Sequence, residues 1–304
     1  MLLAKLRSLG RLTPTEQKIA VYFERHLQQL AFDSLAGLSA KAEVSKTSMN
    51  RFLMQRLGYN GFSQFKAERQ KEIEHRLESP IQRYQRRLDG SWETTSTDPT
   101  PFQRRITEYM QHIQTVGAYL DQTTLEEAAG AISQTDKSLY VLGQRMSFSL
   151  AYVLATNLQY VRSDVFLMRD DHSALPAEIF NTKSGDVLFV ISRRRYSENT
   201  CRLTRYLRRC GLTIVAFTDS EFSPLVPLAD VLLVIPSLES GTFESLGAQV
   251  VVIETLALMA ADKCRESGKD YFQRAENILT EFFCHLQDSA SPFESDFMKT
   301  SEVS

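Results

Sequence analysis

The stretch VLFVISRRRYSENTCRLTRYLRRC (residues 187–210) contains the pattern that decides the fold of the C-terminal half. Residues 187–191 form an apolar run without polar alternation, which is typical of a strand buried on both faces of a parallel sheet. Residues 196–210 predict a helix. Ligands of α/β proteins bind beyond the C-terminal ends of such strands. Three arginines, Arg193, Arg194 and Arg195, therefore lie where an α/β domain binds its ligand.

The same alternation of apolar runs and helices continues on both sides of this unit. Further strands are predicted at residues 139–142, 165–168, 213–217 and 231–235. Helices are predicted from residue 102 onward, after Gly143 to about 160, at 175–181 and at 246–264. Strands that alternate with helices form a parallel sheet covered on both faces. The sequence therefore predicts an α/β, three-layer, Rossmann-like C-terminal domain.

The N-terminal residues predict a separate all-α domain. Thr13 and Pro14 begin one helix, and a second short helix is predicted at 34–42. Ser45 is a good N-cap for a third helix at 46–57, which ends at Gly58. Two short helices with a tight connection form a helix-turn-helix pattern. The spacing alone leaves a helical hairpin with a solvated polar face equally open.

The third helix carries side chains that suit contacts with DNA. These candidates are Ser45, Lys46, Thr47, Ser48, Asn50 and Arg51. Such side chains hydrogen-bond phosphates and base edges in a major groove. Residues 1–90 contain 16 Lys and Arg against 9 Asp and Glu, whereas the remainder contains 19 against 28. A basic N-terminal part joined to an acidic remainder suggests a nucleic-acid-binding module with a separate partner domain.

The composition argues against several other classes of protein. Hydrophobic residues make up 43% and charged residues 24%, as in an ordinary globular protein. No apolar run approaches about 18 residues and no signal peptide is recognised, so we expect a cytoplasmic protein without a membrane partner. The cysteines are widely spaced and the histidines are scattered, at Cys201, Cys210, Cys264, Cys284 and His26, His75, His112, His172, His285. Neither a metal site nor a cofactor is predicted.

The N-terminal sequence closely resembles a known family. The segments LTPTEQKIAVYF and LAGLSAKAEVSKTSMNRFLMQRLGYNGFSQFK are similar to the N-terminal domain of the RpiR-type bacterial transcription regulators, over residues 1–78. The resemblance implies a winged or extended helix-turn-helix that binds operator DNA as a dimer, with the recognition helix at 46–57. We therefore expect a homodimer or homotetramer with operator DNA as its partner.

Residues 79–104 are predicted to link the two domains. Their centre, SWETTSTDPTP at 91–101, is rich in Thr, Ser and Pro and contains Trp92, the one tryptophan of the chain. The C-terminal domain is expected at 105–284, and residues 285–304 are predicted to be a flexible tail.

The C-terminal domain resembles the sugar isomerase (SIS) domain. The order of its elements and the segment AFTDSEFSPLVPLADVLL, which is similar to the family pattern TDS-x-x-SPL-x-x-x-AD, carry this resemblance. It implies an effector domain that binds a phosphorylated sugar through Ser and Thr side chains and backbone amides, and that dimerises. The fold class predicted for the chain is thus an all-α helix-turn-helix domain followed by an α/β three-layer SIS domain.

Two polar loops are the candidate effector site. GQRMSFS (143–149) and the turn after residue 191 both precede helices, whose N-termini suit an anion. The serines could instead only cap their helices and bind nothing, an interpretation that the spacing alone favours slightly. The candidate effector residues are Gly143, Gln144, Arg145, Ser147, Ser149, Ser192, Arg193, Arg194, Arg195, Ser197, Thr200 and Glu244.

Both loops depart from the family pattern. The first commonly reads G-x-G-x-S, and Arg145 stands in place of its second glycine. The second commonly reads S-x-S-G-x-T and allows two alignments: Glu198 replaces the glycine if the arginines are an insertion, and Arg195 replaces it if there is no gap. Loss of glycine reduces close backbone approach to a ligand. Because arginine binds carboxylate or phosphate in a bidentate way, a sugar acid is an alternative ligand.

Three functions follow from these patterns. The first is a DNA-binding transcriptional regulator whose SIS domain senses a small anionic metabolite, a phosphorylated sugar or sugar acid. The second is a regulator whose SIS domain is a ligand-free dimerisation scaffold. The third is a sugar-phosphate isomerase with Glu244 or Glu198 as base, assisted by His172. The DNA-reading module favours a regulator over an enzyme.

Overall fold

A computed structural model describes residue 2 and residues 5–6, 9–77, 80–89, 100–169, 175–238 and 243–282. The described residues of the N-terminal part form helices joined by short turns, with no strand and therefore no β-wing among them. Its helices are α1 Pro14–Arg25, α2 Leu35–Lys41, α3 Lys46–Arg51, α4 Phe62–Leu77 and α5 Pro80–Leu88. Thr13 caps α1 in a capping box with Glu16, and Ser45 caps α3 by accepting from the Ser48 N–H. These caps confirm the predicted starts of α1 and α3.

The predicted recognition helix at 46–57 differs in its last turns. The α-helix ends at Arg51, and Phe52–Arg56 is a π-helical turn. The Leu57 N–H donates to the Phe52 carbonyl at 3.2 Å, which widens the turn, and Gly58 then has a φ of +74°. Met49, Phe52, Leu53 and Leu57 of this segment are buried.

The N-terminal helices enclose an aromatic core. The rings of Phe23 and Phe65 stack with centroids 5.3 Å apart, and Phe52 packs edge-on against Phe23 at 6.2 Å. Phe222, which belongs to the C-terminal half, is buried in the same cluster. The two halves of the chain therefore share part of one apolar core.

The C-terminal half contains a five-stranded parallel sheet in the order β2-β1-β3-β4-β5. Its strands are β1 Leu139–Gly143, β2 Val165–Met168, β3 Val187–Ser192, β4 Thr213–Thr218 and β5 Val231–Val234. Each predicted strand lies within one residue of the observed bounds. Near-continuous burial of β1, β3 and β4 confirms that the apolar runs form central strands.

Helices cover both faces of this sheet. They are α6 Pro101–Tyr119, α7 Gln122–Ile132, α8 Met146–Gln159, α9 Leu175–Phe180, α10 Glu198–Arg209, α11 Gly247–Lys263 and α12 Arg265–Phe282. Val141 and Phe189 face the cluster that holds α7, α8 and α11, whereas Leu142 and Leu188 face the cluster that holds α10. The predicted three-layer α/β domain is confirmed, because alternate residues of the strands pack on opposite helical layers.

The segment predicted as a linker is partly helical. Residues 79–104 contain α5 and the first residues of α6. Trp92, the predicted tail at 285–304 and His172 lie outside the described residues. Within the described ranges, no helix is long and apolar enough to cross a membrane.

Candidate functional site

A cavity of about 240 Å³ opens where β1 and β3 end and α8 and α10 begin. This is the edge at which parallel sheets bind ligands, because the two strands run in the same direction and their turns meet. Five of the lining side chains are arginines and one is a carboxylate. The lining residues are Arg83, Gln144, Arg145, Met146, Ser147, Ile191, Ser192, Arg193, Arg194, Arg195, Ser197, Thr200, Phe243 and Glu244.

The first loop of the cavity is a tight turn with arginine in an unusual conformation. The Ser147 N–H donates to the Gln144 carbonyl at 3.0 Å, and Arg145 has φ 54° and ψ −127°. These values match the first central position of a type II′ turn, which glycine ordinarily occupies. The turn bond also uses the Ser147 amide, so that this N–H at the start of α8 is already satisfied.

The second loop places another arginine at positive φ. Arg195 has a φ of 63°, whereas Glu198 begins α10 with its carboxylate in the first helical turn. Left-handed backbone costs a residue with a Cβ about 1–2 kcal/mol and costs glycine almost nothing. The position that requires glycine in this loop is therefore that of Arg195, which favours the alignment without a gap.

Arg193 is the most buried cation of the cavity, with 5% of its surface exposed. Its Nη2 donates to the Ser237 Oγ at 2.9 Å and to the Ser245 carbonyl at 3.1 Å. Burial lowers the pKa of this guanidinium, whereas the charges of Glu244 and Asp219 raise it. Because an arginine stays protonated in proteins, a positive charge is held inside the cavity.

The unsatisfied polar atoms of the cavity are all hydrogen-bond donors. The Nε and Nη1 of Arg193, the Nε of Arg83 and the Nε2 of Gln144 are buried without a partner among the described residues. Buried polar groups are normally paired, and leaving one unpaired costs about 1–3 kcal/mol. A ligand rich in acceptor oxygens would satisfy all of these donors at once.

Arg194 belongs to a different network at the rim. Its Nε donates to the Asp219 Oδ2 at 3.2 Å, and the Tyr196 hydroxyl donates to the Asp219 Oδ1 at 2.9 Å. Asp219 lies just after β4 and is buried. The arginine loop is thus fixed to the loop that leads to Phe222 and the N-terminal core.

The cavity includes Arg83, a residue for which the sequence offered no expectation. Arg83 lies on α5, is 7% exposed, and approaches the Glu244 Oε1 with its Nη2 at 3.6 Å. Glu244 also lies 3.8 Å from the Arg193 Nη2, through its Oε2. The spacing of basic and apolar residues at 80–88 predicts a helix. It does not show that the side chain of Arg83 lines the cavity.

The structure brings together most of the predicted effector residues. Those that line the cavity are Gln144, Arg145, Ser147, Ser192, Arg193, Arg194, Arg195, Ser197, Thr200 and Glu244. Ser149 is exposed and lies outside the lining, and Ser197 caps α10 by accepting from the Thr200 N–H. Gly143 is a packing residue, since a Cβ there would lie 2.4 Å from the Ser147 carbonyl oxygen.

Gly143→Ala is expected to lower the free energy of unfolding by about 1–3 kcal/mol, because the added methyl group would push α8 away from the end of β1. Thermal denaturation measures the change. Gly130→Ala is the matched control: Gly130 lies within α7 with open space around it, and alanine should stabilise that helix by about 0.4–1 kcal/mol. Equal effects of the two substitutions would contradict the packing role of Gly143.

The predicted DNA-binding residues cluster on the start and outer face of α3. Lys46, Thr47 and Arg51 are exposed, whereas Ser48 and Asn50 are half-buried. The exposed Ser45 uses its hydroxyl within the helix cap, where it also donates to the Ser48 Oγ at 2.9 Å. The arrangement offers two cations and a hydroxyl to a partner, with Ser45 fixing the start of the helix.

Of the two carboxylates proposed as the base of an isomerase, Glu244 lines the cavity. Glu198 is exposed in the first turn of α10 and is not part of the lining. Among the described residues, no group of three His, Cys, Asp or Glu side chains could hold a metal ion.

Two family models match the chain. Residues 1–76 match the helix-turn-helix domain of the rpiR family, and residues 132–259 match the SIS domain. An uncharacterized HTH-type transcriptional regulator of Caldanaerobacter subterraneus is 26% identical over 284 residues, which cover 91% of this chain and 96% of the relative. One from Haemophilus influenzae is 24% identical over 287 residues, which cover 92% and 96%.

Two solved structures share the fold. The Vibrio vulnificus NanR protein, complexed with ManNAc-6P, has a TM-score of 0.53 at 16% identity and covers 94% of this chain and 100% of its own. The sugar isomerase domain of an RpiR transcription factor from Sphaerobacter thermophilus has a TM-score of 0.52 at 22% identity and covers 57% and 96%. The first likeness extends over both halves of the chain.

Proposed function

This chain belongs to the RpiR family of transcriptional regulators, with a helix-turn-helix domain and a SIS domain, and on that premise we propose that its SIS cavity binds a small anionic metabolite that controls its binding to operator DNA. The ligand is a phosphorylated sugar or a sugar acid. The protein acts in the cytoplasm, where its operator is, and catalyses no reaction.

The unpaired donors of the cavity are the observation that carries this proposal. Five guanidinium groups and one carboxylate line the cavity, Arg194 is paired with Asp219 at its rim, and each unsatisfied atom of the lining is a donor. Phosphate and carboxylate groups supply only acceptors when ionised, and arginine binds both in a bidentate way. The same donors weigh against a ligand-free scaffold, since a cavity that binds nothing would retain their desolvation cost without compensation.

The likeness to the NanR protein supports a phosphorylated ligand. That protein has been solved with ManNAc-6P, and the likeness covers 100% of its chain. The arginines at 145 and 195 add positive charge at loop positions that suit glycine, which extends the candidate ligands to sugar acids.

Contacts between the halves support control of DNA binding by the ligand. Asp219 holds the arginine loop, and two residues later Glu221 accepts a hydrogen bond from the Leu2 N–H at 2.8 Å. A ligand shifts a conformational equilibrium only by binding one arrangement better than another. A ligand anion that competes with Asp219 for Arg194 would have such a preference, because the loop from 219 to 222 also contacts the N-terminal core.

We propose a homodimer or homotetramer as the DNA-binding form. Phe102, Ile106 and Met110 recur every four residues on α6 and are all exposed, Phe102 by 75%. An exposed apolar stripe of this kind is typical of a subunit contact. Two-fold pairing would present two copies of α3 to adjacent half-sites.

A metabolite panel tests the sensor function. Phosphorylated sugars and sugar acids are added to the purified protein, and its melting temperature is followed. Compounds that raise the melting temperature are then tested for an effect on binding to DNA from upstream of the gene itself. If no compound acts in either assay, the scaffold alternative replaces the sensor; turnover of any sugar phosphate would instead support the isomerase.

Arg51→Ala is expected to weaken operator binding by about 1–3 kcal/mol, if its guanidinium reads a base, and to relax sequence preference at one position. A fluorescence-anisotropy titration with operator and scrambled duplexes measures both. Arg205→Ala is the matched control, since Arg205 is an exposed arginine on α10, outside the N-terminal domain. Unchanged affinity and specificity of the Arg51 variant would remove this residue from the DNA interface.

A further inference from the structure

Arg83 belongs by sequence to the N-terminal side of the molecule and by position to the cavity of the SIS domain. It lies on α5, which follows the DNA-binding helices in the chain, yet only 7% of the residue is exposed. Burial of an arginine is costly unless the charge is paired and hydrogen-bonded. Its charge is met by Glu244, but its Nε has no hydrogen-bond partner among the described residues.

Glu244 lies between two guanidinium groups without a close contact to either. Its oxygens are 3.6 Å from the Arg83 Nη2 and 3.8 Å from the Arg193 Nη2. Charge-assisted hydrogen bonds between nitrogen and oxygen are about 2.7–2.9 Å long, so both pairs are attractive but not hydrogen-bonded. The carboxylate therefore holds the two arginines near each other and leaves donors of both unused.

We propose that Arg83 is a ligand-binding residue, and that the anionic group of the ligand bridges Arg83 and Arg193 in competition with the carboxylate of Glu244. The proposal rests on the sensor function above and adds a residue from outside the SIS domain to its site. A bound phosphate or carboxylate would satisfy the unused donors of both arginines, and would tie α5 to the end of β3. Glu244 is then an internal competitor that keeps the empty site organised.

Opposite effects of two substitutions distinguish this role from a structural ion pair. With inorganic phosphate as the probe and chloride at matched ionic strength as the reference, Arg83→Gln is expected to weaken phosphate binding roughly tenfold, from the loss of one charge-assisted contact. Glu244→Gln is expected to tighten it, because a competing negative charge is removed. Gln85→Ala, at an exposed position of the same helix, should match the wild type. Thermal shift and calorimetry give the dissociation constants.

Hydrogen exchange provides a second readout that does not depend on affinity alone. At saturating phosphate, amides of residues 80–88 should exchange more slowly in the wild-type protein and not in Arg83→Gln. Protection confined to the two cavity loops, without α5, would overturn the proposal.

The outcomes separate this inference from the sensor function. If phosphate affects the wild type and Arg83→Gln equally, while Arg193→Gln loses the effect, the role of Arg83 is wrong and the sensor function stands. If Glu244→Gln weakens phosphate binding, the competition is wrong. If phosphate has no effect on the wild type beyond that of chloride, the bridging role of Arg83 is overturned, and the metabolite panel decides the sensor function separately.

Discussion

Glu221→Ala should lower the free energy of unfolding by about 1–3 kcal/mol, because it removes the acceptor of the buried Leu2 N–H and one of the two carboxylates near the buried Arg69, whose Nη2 also donates to the Glu68 Oε1 at 2.7 Å. The side chains of Glu221 and Arg69 are each 1% exposed, with the Arg69 Nη1 3.7 Å from the carboxylate. Glu221 also accepts from the Leu2 N–H at 2.8 Å, so the substitution removes two contacts between the halves of the chain. Urea denaturation followed by circular dichroism measures the loss.

Two further variants test the cause of this decrease in the free energy of unfolding. Glu254→Ala removes an exposed carboxylate from α11 and should change stability by no more than about 0.5 kcal/mol. Arg69→Met combined with Glu221→Leu replaces both charges by apolar side chains of similar size, and should cost less than Glu221→Ala alone, because no buried charge remains at this contact. A double variant that is no more stable than the single one would show that the hydrogen bond from the Leu2 N–H, which both variants lose, determines the effect.

Arg193→Ala combined with Arg195→Ala is expected to abolish the stabilisation of the protein by phosphorylated sugars and other anions. A ligand at one hundred times its dissociation constant stabilises a protein by about 2.7 kcal/mol, and this gain should vanish with the two guanidinium groups. Melting temperatures with and without ligand measure it. Arg202→Ala combined with Arg205→Ala removes the same charge from exposed positions of α10 and should retain the full shift.

Arg195→Gly separates binding from folding in the same site. Arg193 is buried, so its removal affects stability as well as the cavity. Arg195 is exposed at a φ of 63°, where glycine is relaxed, and the glycine variant should be at least as stable as the wild type without ligand. A glycine variant with an undiminished ligand shift would exclude Arg195 from the site.

Local sequence patterns were sufficient to predict the strands and most of the helix starts. The strands were predictable because each is a short apolar run bounded by polar residues. This is the pattern of a strand that is buried on both faces of a parallel sheet. Thr13, Ser45 and Ser197 indicated helix starts through a hydroxyl that accepts from the amide three residues on. The π-helical turn after Arg51 had no such signal, since no side chain caps it.

The candidate site was predictable in part. Both loops follow strand ends, and their residues meet because the strands are parallel neighbours. Arg83 could not be found in this way: on α5 the apolar side chains of Ile81, Tyr84 and Leu88 are exposed and the arginine is buried, the reverse of the usual pattern. Its burial depends on Glu244, which is distant in sequence. The choice between two alignments of the arginine loop likewise required the backbone angle of Arg195.

The two arginines at positive φ have a consequence for how the charge of this cavity can change in evolution. Every arginine codon becomes a glycine codon by one nucleotide change, and at positions 145 and 195 that change removes a positive charge while relaxing the backbone. We expect each step to keep the protein folded, so that a gene can pass between a more cationic and a less cationic cavity without an unstable intermediate. Among duplicated copies of such genes, we expect arginine at these two positions in proteins that bind more negatively charged metabolites. We expect glycine there in proteins that bind less charged ones.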